Sequence, residues 1–160
     1  MKTQIIGCGN LGRGDDAAGV LVAKRLRQLG VEAEIQSGGA FELLASWDHH
    51  ERVILIDAVV TGSRLGAVHV WEGHPPRLPE ARQFSSHGFG LAEAIRLAQV
   101  LGSLPRQITV YGIEGEAFAV GDAVSPEVLD AVERVAQQIA QECRKPIADN
   151  VLQMRTAQPQ

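Results

Sequence analysis

The chain has 160 residues, 45 % of them hydrophobic and 21 % charged, with a formal net charge of −4. That suits one globular domain with a real core, and it excludes a broad nucleic-acid-binding face, which needs a basic surface. No apolar run approaches the roughly eighteen residues of a membrane span, and the few apolar residues before Gly7 make no signal peptide, so a cytoplasmic protein with no membrane partner is expected.

The elements follow in chain order. "TQIIGCG" reads as a first strand ending in glycines, and Asp15 to Leu29 as a helix that Gly30 stops. "VEAEIQ" alternates like a strand, and "FELLASW" is a short helix. "RVILIDAVV" is a continuous apolar run, the pattern of a strand buried on both faces. "GAVHVWEG" is a fourth strand, and too few residues separate it from the third for a parallel crossover. It should therefore run antiparallel at the edge of a mixed sheet. After a Pro-rich loop, His87 to Leu101 reads as a helix, "QITVYGI" as the fifth strand and "SPEVLDAVERVAQQIAQECRK" as the last helix. Ser125 is placed to cap that helix and Pro126 suits its first position. Strands alternating with helices predict an α/β fold: one domain over residues 1–145, a mostly parallel five-stranded sheet and helices on both faces. The polar, Gln-rich tail, residues 146–160, is expected to be disordered.

Two isolated cysteines, Cys8 and Cys143, form no disulfide framework and no Cys-x-x-Cys metal site. Cys8 reads as a small buried apolar residue.

"GCGNLGRGDD" matches the Gly-x-Gly-x-x-Gly dinucleotide fingerprint with Gly7, Gly9 and Gly12. A pyrophosphate would sit at the start of the following helix. Asp15 and Asp16 occupy that place and would repel it. One acid there is an ordinary helix-start residue; the second asks for a role. In open α/β sheets, ligands bind beyond the carboxyl ends of the strands, where the strand order reverses. Asp16 follows strand one, Asp57 closes strand three, and His87 opens the third helix. Asp57 follows four apolar residues, and a carboxylate so placed needs a partner or a metal. Two carboxylates and an imidazole suit a divalent ion such as nickel, zinc or manganese. His49, His50, His69 and His74 read as surface or structural residues; Glu114 and Glu116, which follow strand five, are candidates for a general base but read better as acids of a surface loop. No Gly-x-Ser-x-Gly elbow or His-Glu-x-x-His helix is present.

With these residues in view, the chain resembles the nickel–iron hydrogenase maturation endopeptidases. The matching stretches are "GCGNLGRGDDAAGVLVAKRL", "VILIDAV", "SSHGFGLAEAI" and "YGIEGEAFAVGDAVSPEV", in the family's order and reaching to about residue 143. The resemblance implies a twisted mixed sheet between helices. It also implies an enzyme that removes a short C-terminal extension from the precursor of the hydrogenase large subunit after nickel insertion. By motif, Asp16, Asp57 and His87 stand at the family's three metal-engaging positions, which are also the catalytic positions. The nickel would arrive with the substrate precursor, although another divalent metal would suit the same ligands. A monomer is expected. The family's Asp-Gly-Gly-Thr after strand two is replaced here by "QSGGAFELL", so no role carries over to that loop. Two other readings of the GxGNxG loop are a nucleotide-binding module and a peptidyl-tRNA hydrolase-like enzyme. The second lacks the expected histidine after the loop and a basic face.

Overall fold

The computed structural model describes residues 2–47, 52–79 and 91–145. Five strands form one sheet: β1 (Thr3–Cys8), β2 (Glu34–Gln36), β3 (Arg52–Val59), β4 (Val68–Gly73) and β5 (Gln107–Glu114). Their order is β2-β1-β3-β5-β4. All neighbours are parallel except β4, which pairs antiparallel with β5 at the edge. The short β3–β4 connection forces that reversal, because a parallel return needs a crossover of a dozen or more residues.

Four helices cover the sheet: α1 (Ala18–Gln28), α2 (Ala40–Ser46), α3 (Leu91–Leu101) and α4 (Pro126–Arg144). Strand alternation sends every second side chain to each face. Ile54, Ile56 and Ala58 of β3 pack with Val22 and Leu26 of α1 and with Val128, Val135 and Ile139 of α4. Val53, Leu55 and Val59 pack on the other face with Leu43 of α2 and with Leu91, Ile95 and Ala98 of α3. The central strands are apolar throughout because both faces are covered. Among the described residues no helix is long and apolar enough to cross a membrane.

Local differences from the sequence reading have physical causes. The first helix does not begin as an α-helix at Asp15; a single 3-10 turn, Gly14–Ala17, precedes α1. The second strand keeps only its last three residues, since only Glu34–Gln36 pair with β1. Ser125 stands at the N-cap of α4 with extended backbone, but its side chain makes no cap bond, because its hydroxyl is committed to Asp15. The third helix is described from Leu91; its predicted start at His87 and the predicted tail from residue 146 lie outside the described residues.

Candidate active site

From β1 the chain passes through α1 to β2 on one side and continues to β3 on the other. The carboxyl ends of β1 and β3 therefore flank the switch point, where open α/β sheets bind their ligands. Asp16 comes from the 3-10 turn after β1, and Asp57 is the sixth residue of β3. Asp57 shares its sheet face with Val53, Leu55 and Val59, the α2/α3 side.

Two glycines bring the first turn down onto the sheet. A Cβ on Gly19 would lie 2.2 Å from the Ile56 carbonyl oxygen and 2.3 Å from that of Cys8. Only a residue without a side chain lets α1 sit directly on the ends of β1 and β3. Gly9 has φ +139°, and a Cβ there would lie 2.0 Å from the Asp16 carbonyl oxygen. The loop thus folds back over the turn, and the Asn10 N–H donates to that same carbonyl at 3.2 Å. A carbonyl and a carboxylate, rather than free N–H groups, face the loop. That removes the physical basis for a pyrophosphate site.

Asp15 and Asp16 are both fully buried but point to different fates. The Asp15 carboxylate accepts from the backbone N–H groups of Glu116, Ala117 and Ser125 and from the Ser125 hydroxyl, at 2.7–3.0 Å. Burial acts to raise its pKa, but the donors from Ala117, Ser125 and Glu116 outweigh it and hold the carboxyl below its ordinary value. This side chain fastens the loop after β5 to the loop after β1.

Asp16 is poorly served by comparison. The Asn10 side-chain amide donates to its Oδ2 at 3.2 Å, and its Oδ1 is buried with no hydrogen-bond partner among the described residues. Asp57 is 5 % exposed and accepts one N–H, from Ala58 at 2.8 Å. Burial and then the neighbouring Asp16 charge push its carboxyl well above the usual range, against the Ala58 hydrogen bond. Beside it, burial and then the Asp57 charge push the Cys8 thiol up. Cys8 is therefore a buried thiol, as its sequence context implied, and not a nucleophile. Two close buried carboxylates with an orphaned oxygen fit a divalent cation, which would relieve their repulsion and satisfy the open lone pair.

Among the described residues no three His, Cys, Asp or Glu side chains gather closely enough to hold a metal. The structure brings Asp16 and Asp57 together; His87 lies outside the described residues. The helix it was predicted to open leads back to the amino end of β5 through residues 102–106, so the first described turn of α3 points toward the carboxyl edge.

A model of the hydrogenase maturation protease family, HycI, matches residues 20–142. The chain belongs to that family. Relatives agree along nearly its full length. It is 26 % identical to the hydrogenase 2 maturation protease of Escherichia coli strain K12, over 87 % of this chain and 88 % of that one. The solved [NiFe] hydrogenase maturation protease HybD of Thermococcus kodakarensis is 26 % identical, with a TM-score of 0.68, covering 91 % of this chain and all of that one. The solved E. coli endopeptidase HybD, at 24 % identity and a TM-score of 0.69, shares the fold over 87 % of this chain and 90 % of its own. This hydrogenase maturation protease fold is the five-stranded mixed sheet described above.

Sequence reasoning overlooked or misplaced three side chains that shape this maturation protease's carboxyl edge. Asn10, the polar residue of the GxGNxG loop, is tied to Asp16 by both its backbone and its side chain. Asp15 was readable only as a helix-start acid, because its partners lie about a hundred residues away. Glu114 is not a surface loop acid: it ends β5, is 2 % exposed, and accepts from the N–H groups of Thr61 and Gly62 and the Thr61 hydroxyl. Glu116 is exposed, as read. An acid at the last position of a buried strand was the available signal for Glu114.

Proposed function

We infer that this protein is the endopeptidase that removes the C-terminal extension of a nickel-loaded nickel–iron hydrogenase large-subunit precursor. In this reading Asp16, Asp57 and His87 engage the nickel carried by the substrate. The observation that carries it is the pair of buried carboxylates at the sheet's switch point, one with an oxygen that has no partner among the described residues and the other with a raised pKa. Such a pair favours a cation that arrives with its own remaining ligands, and the family membership supplies the substrate class.

The chain's own residues then have defined tasks. Asn10 orients the Asp16 carboxylate. Asp57, fixed by its strand, presents the second carboxylate at the mouth of the core, and His87 completes an oxygen–oxygen–nitrogen set. The bound ion supplies Lewis acidity toward nearby substrate groups. Recognition through the ion makes processing conditional on nickel loading, because a precursor without nickel leaves the two acids facing each other. The protein works as a monomer in the cytoplasm.

The test is mass spectrometry of a nickel-loaded large-subunit precursor incubated with and without the protein. Loss of a C-terminal peptide is expected with the wild type and not with nickel-free precursor. Asp16→Ala, Asp57→Ala and His87→Ala should each slow trimming by at least about 100-fold, with circular dichroism unchanged. Trimming at the normal rate by all three variants would refute the metal-engaging role.

A further inference from the structure

A second ionisable cluster lies on the same sheet face as Asp57. Residue Gly112 of β5 pairs with Asp57 of β3 on one side and with His69 of β4 on the other. Asp57, Gly112 and His69 therefore form one row across three strands, about 10 Å from end to end at normal strand spacing. Pairing alternation puts the Asp57 and His69 side chains on one face. Gly112 leaves room between them for the Trp71 indole, which lies where a Cβ would be (2.6 Å from Trp71 Cζ3) and stacks on the imidazole with centroids 5.4 Å apart.

His69 is held in a particular way. Its Nε2 lies 3.2 Å from Oε2 of the buried Glu114 and 3.3 Å from the Thr61 hydroxyl. A Ser–His–Asp arrangement would use the two ring nitrogens separately, one toward the hydroxyl and one toward the acid. Here both contacts use Nε2, so Thr61 is not a nucleophile served by His69. Instead Nε2–H donates to Glu114, and Nδ1 has no hydrogen-bond partner among the described residues. A carboxylate fixing one imidazole nitrogen and leaving the other open orients a histidine for work at the open nitrogen. The side chain is 25 % exposed, so the ring can be reached from solvent at the edge. Among the described residues Glu114 is the ionisable group in contact with it, and Thr61 and Trp71 are its other neighbours.

We propose that His69 is a further catalytic residue of this protease, the general acid that protonates the departing amine, with Glu114 as its positioning residue. The proposal rests on the cleavage reading given above. Peptide hydrolysis needs such a group: an amide nitrogen leaves as an amine, not as an anion. Asp16 and Asp57 are committed to the cation, and Cys8 is a buried protonated thiol. In the step, a water oxygen bonds to the carbonyl carbon and sheds a proton to solvent. The C–N bond breaks, its electron pair goes to nitrogen, and nitrogen takes the Nδ1 proton of the imidazolium. Solvent then returns a proton to Nδ1. Glu114 steadies the charged ring throughout.

Trimming of nickel-loaded precursor by the full chain, followed by mass spectrometry across pH 5.5–9, tests this. His69→Gln and His69→Phe, the second keeping the stack on Trp71, should lower kcat about 100-fold with KM within about twofold. Both should abolish the fall in rate at alkaline pH that deprotonation of the acid produces. Glu114→Gln, which keeps an acceptor for Thr61 and Gly62 but lets the ring turn, should lower kcat less than the His69 variants and leave KM within about twofold. Melting curves separate these effects from unfolding, and the two His69 variants guard against one failing to fold. The proposal is overturned if either folded His69 variant trims at the wild-type rate, or loses rate with the alkaline fall unchanged, or is altered in KM alone. Wild-type protein inert on nickel-loaded precursor overturns the cleavage reading itself.

Discussion

Asp15 and Asp16 are adjacent, equally buried and built into the same turn, yet the protein treats them in opposite ways. Asp15 receives four hydrogen bonds from the loop after β5, and its carboxyl is held below its ordinary value. Among the described residues Asp16 receives one side-chain bond and keeps an oxygen without a partner, and its charge helps drive up the carboxyl of neighbouring Asp57. A 3-10 turn advances about 120° per residue, so consecutive acids look in different directions. One direction meets backbone donors and holds the fold together. The other lies beside a second acid, the pair to which the proposed function assigns the cation. A saturated carboxylate contributes stability; an unsaturated pair detracts from it and keeps binding capacity.

Breaking the saturated side should have the largest effect on stability. Asp15→Ala leaves three partly buried N–H groups without their acceptor, at about 1 kcal/mol each. We expect a loss of roughly 2–4 kcal/mol in urea unfolding, with slowed trimming because Asp16 sits on the same turn. The pH dependence follows from the sign of the shift. A carboxyl lowered by folding adds stability above its unfolded value near 3.9, and that contribution fades as pH falls toward its folded value. Asp15→Asn should therefore be destabilised at pH 7 and progressively less so in acid. Equal destabilisation at pH 7 and in strong acid would contradict the clamp.

The unsaturated side should respond in the opposite direction. Asp57 is raised on folding, so its neutral form favours the folded state, and stability declines as pH rises from the unfolded value toward the folded one. Asp57→Asn removes that penalty. It should stabilise the metal-free protein at pH 7 by roughly 1 kcal/mol, about 2–4 °C in Tm, and the gain should fade through the unfolded value near 3.9 and vanish about one pH unit below it, where the wild-type carboxyl is protonated in both states. The same variant should lose trimming. Gain of stability with loss of activity in a single substitution is what separates a functional acid from a structural one. A lower Tm for Asp57→Asn at pH 7 would place Asp57 on the structural side.

The local pattern carried much of this into the sequence. β3 was visible as an apolar run, and the antiparallel edge strand followed from a connection too short for a helix. Asp16 and Asp57 could be placed at the switch point from strand order alone, and the structure does bring them together. The division of labour between Asp15 and Asp16 was not legible, since it depends on donors at Glu116, Ala117 and Ser125 that only the folded sheet brings near. Glu114 was misjudged because the fifth strand runs one residue further than "QITVYGI" suggested, which turns a loop acid into an inward-facing one. Ser125 misled in the same way: a serine before a helix has the chemistry of a cap, and a stronger acceptor from elsewhere took its hydroxyl.

That last competition gives the smallest and sharpest test. If Ser125 serves α4 as a cap, Ser125→Ala should destabilise the protein by about 1 kcal/mol whether or not Asp15 is present. The geometry instead shows the hydroxyl donating to Asp15 at 2.9 Å and making no cap bond. Ser125→Ala should then cost about 0.5–1.5 kcal/mol in the wild type, since the Ser125 backbone N–H still reaches Asp15 at 2.7 Å. In an Asp15→Ala background it should cost almost nothing. Urea unfolding of the two single variants and the double variant closes the cycle. A coupling near zero would return Ser125 to the helix and leave the Asp15 clamp with three donors rather than four.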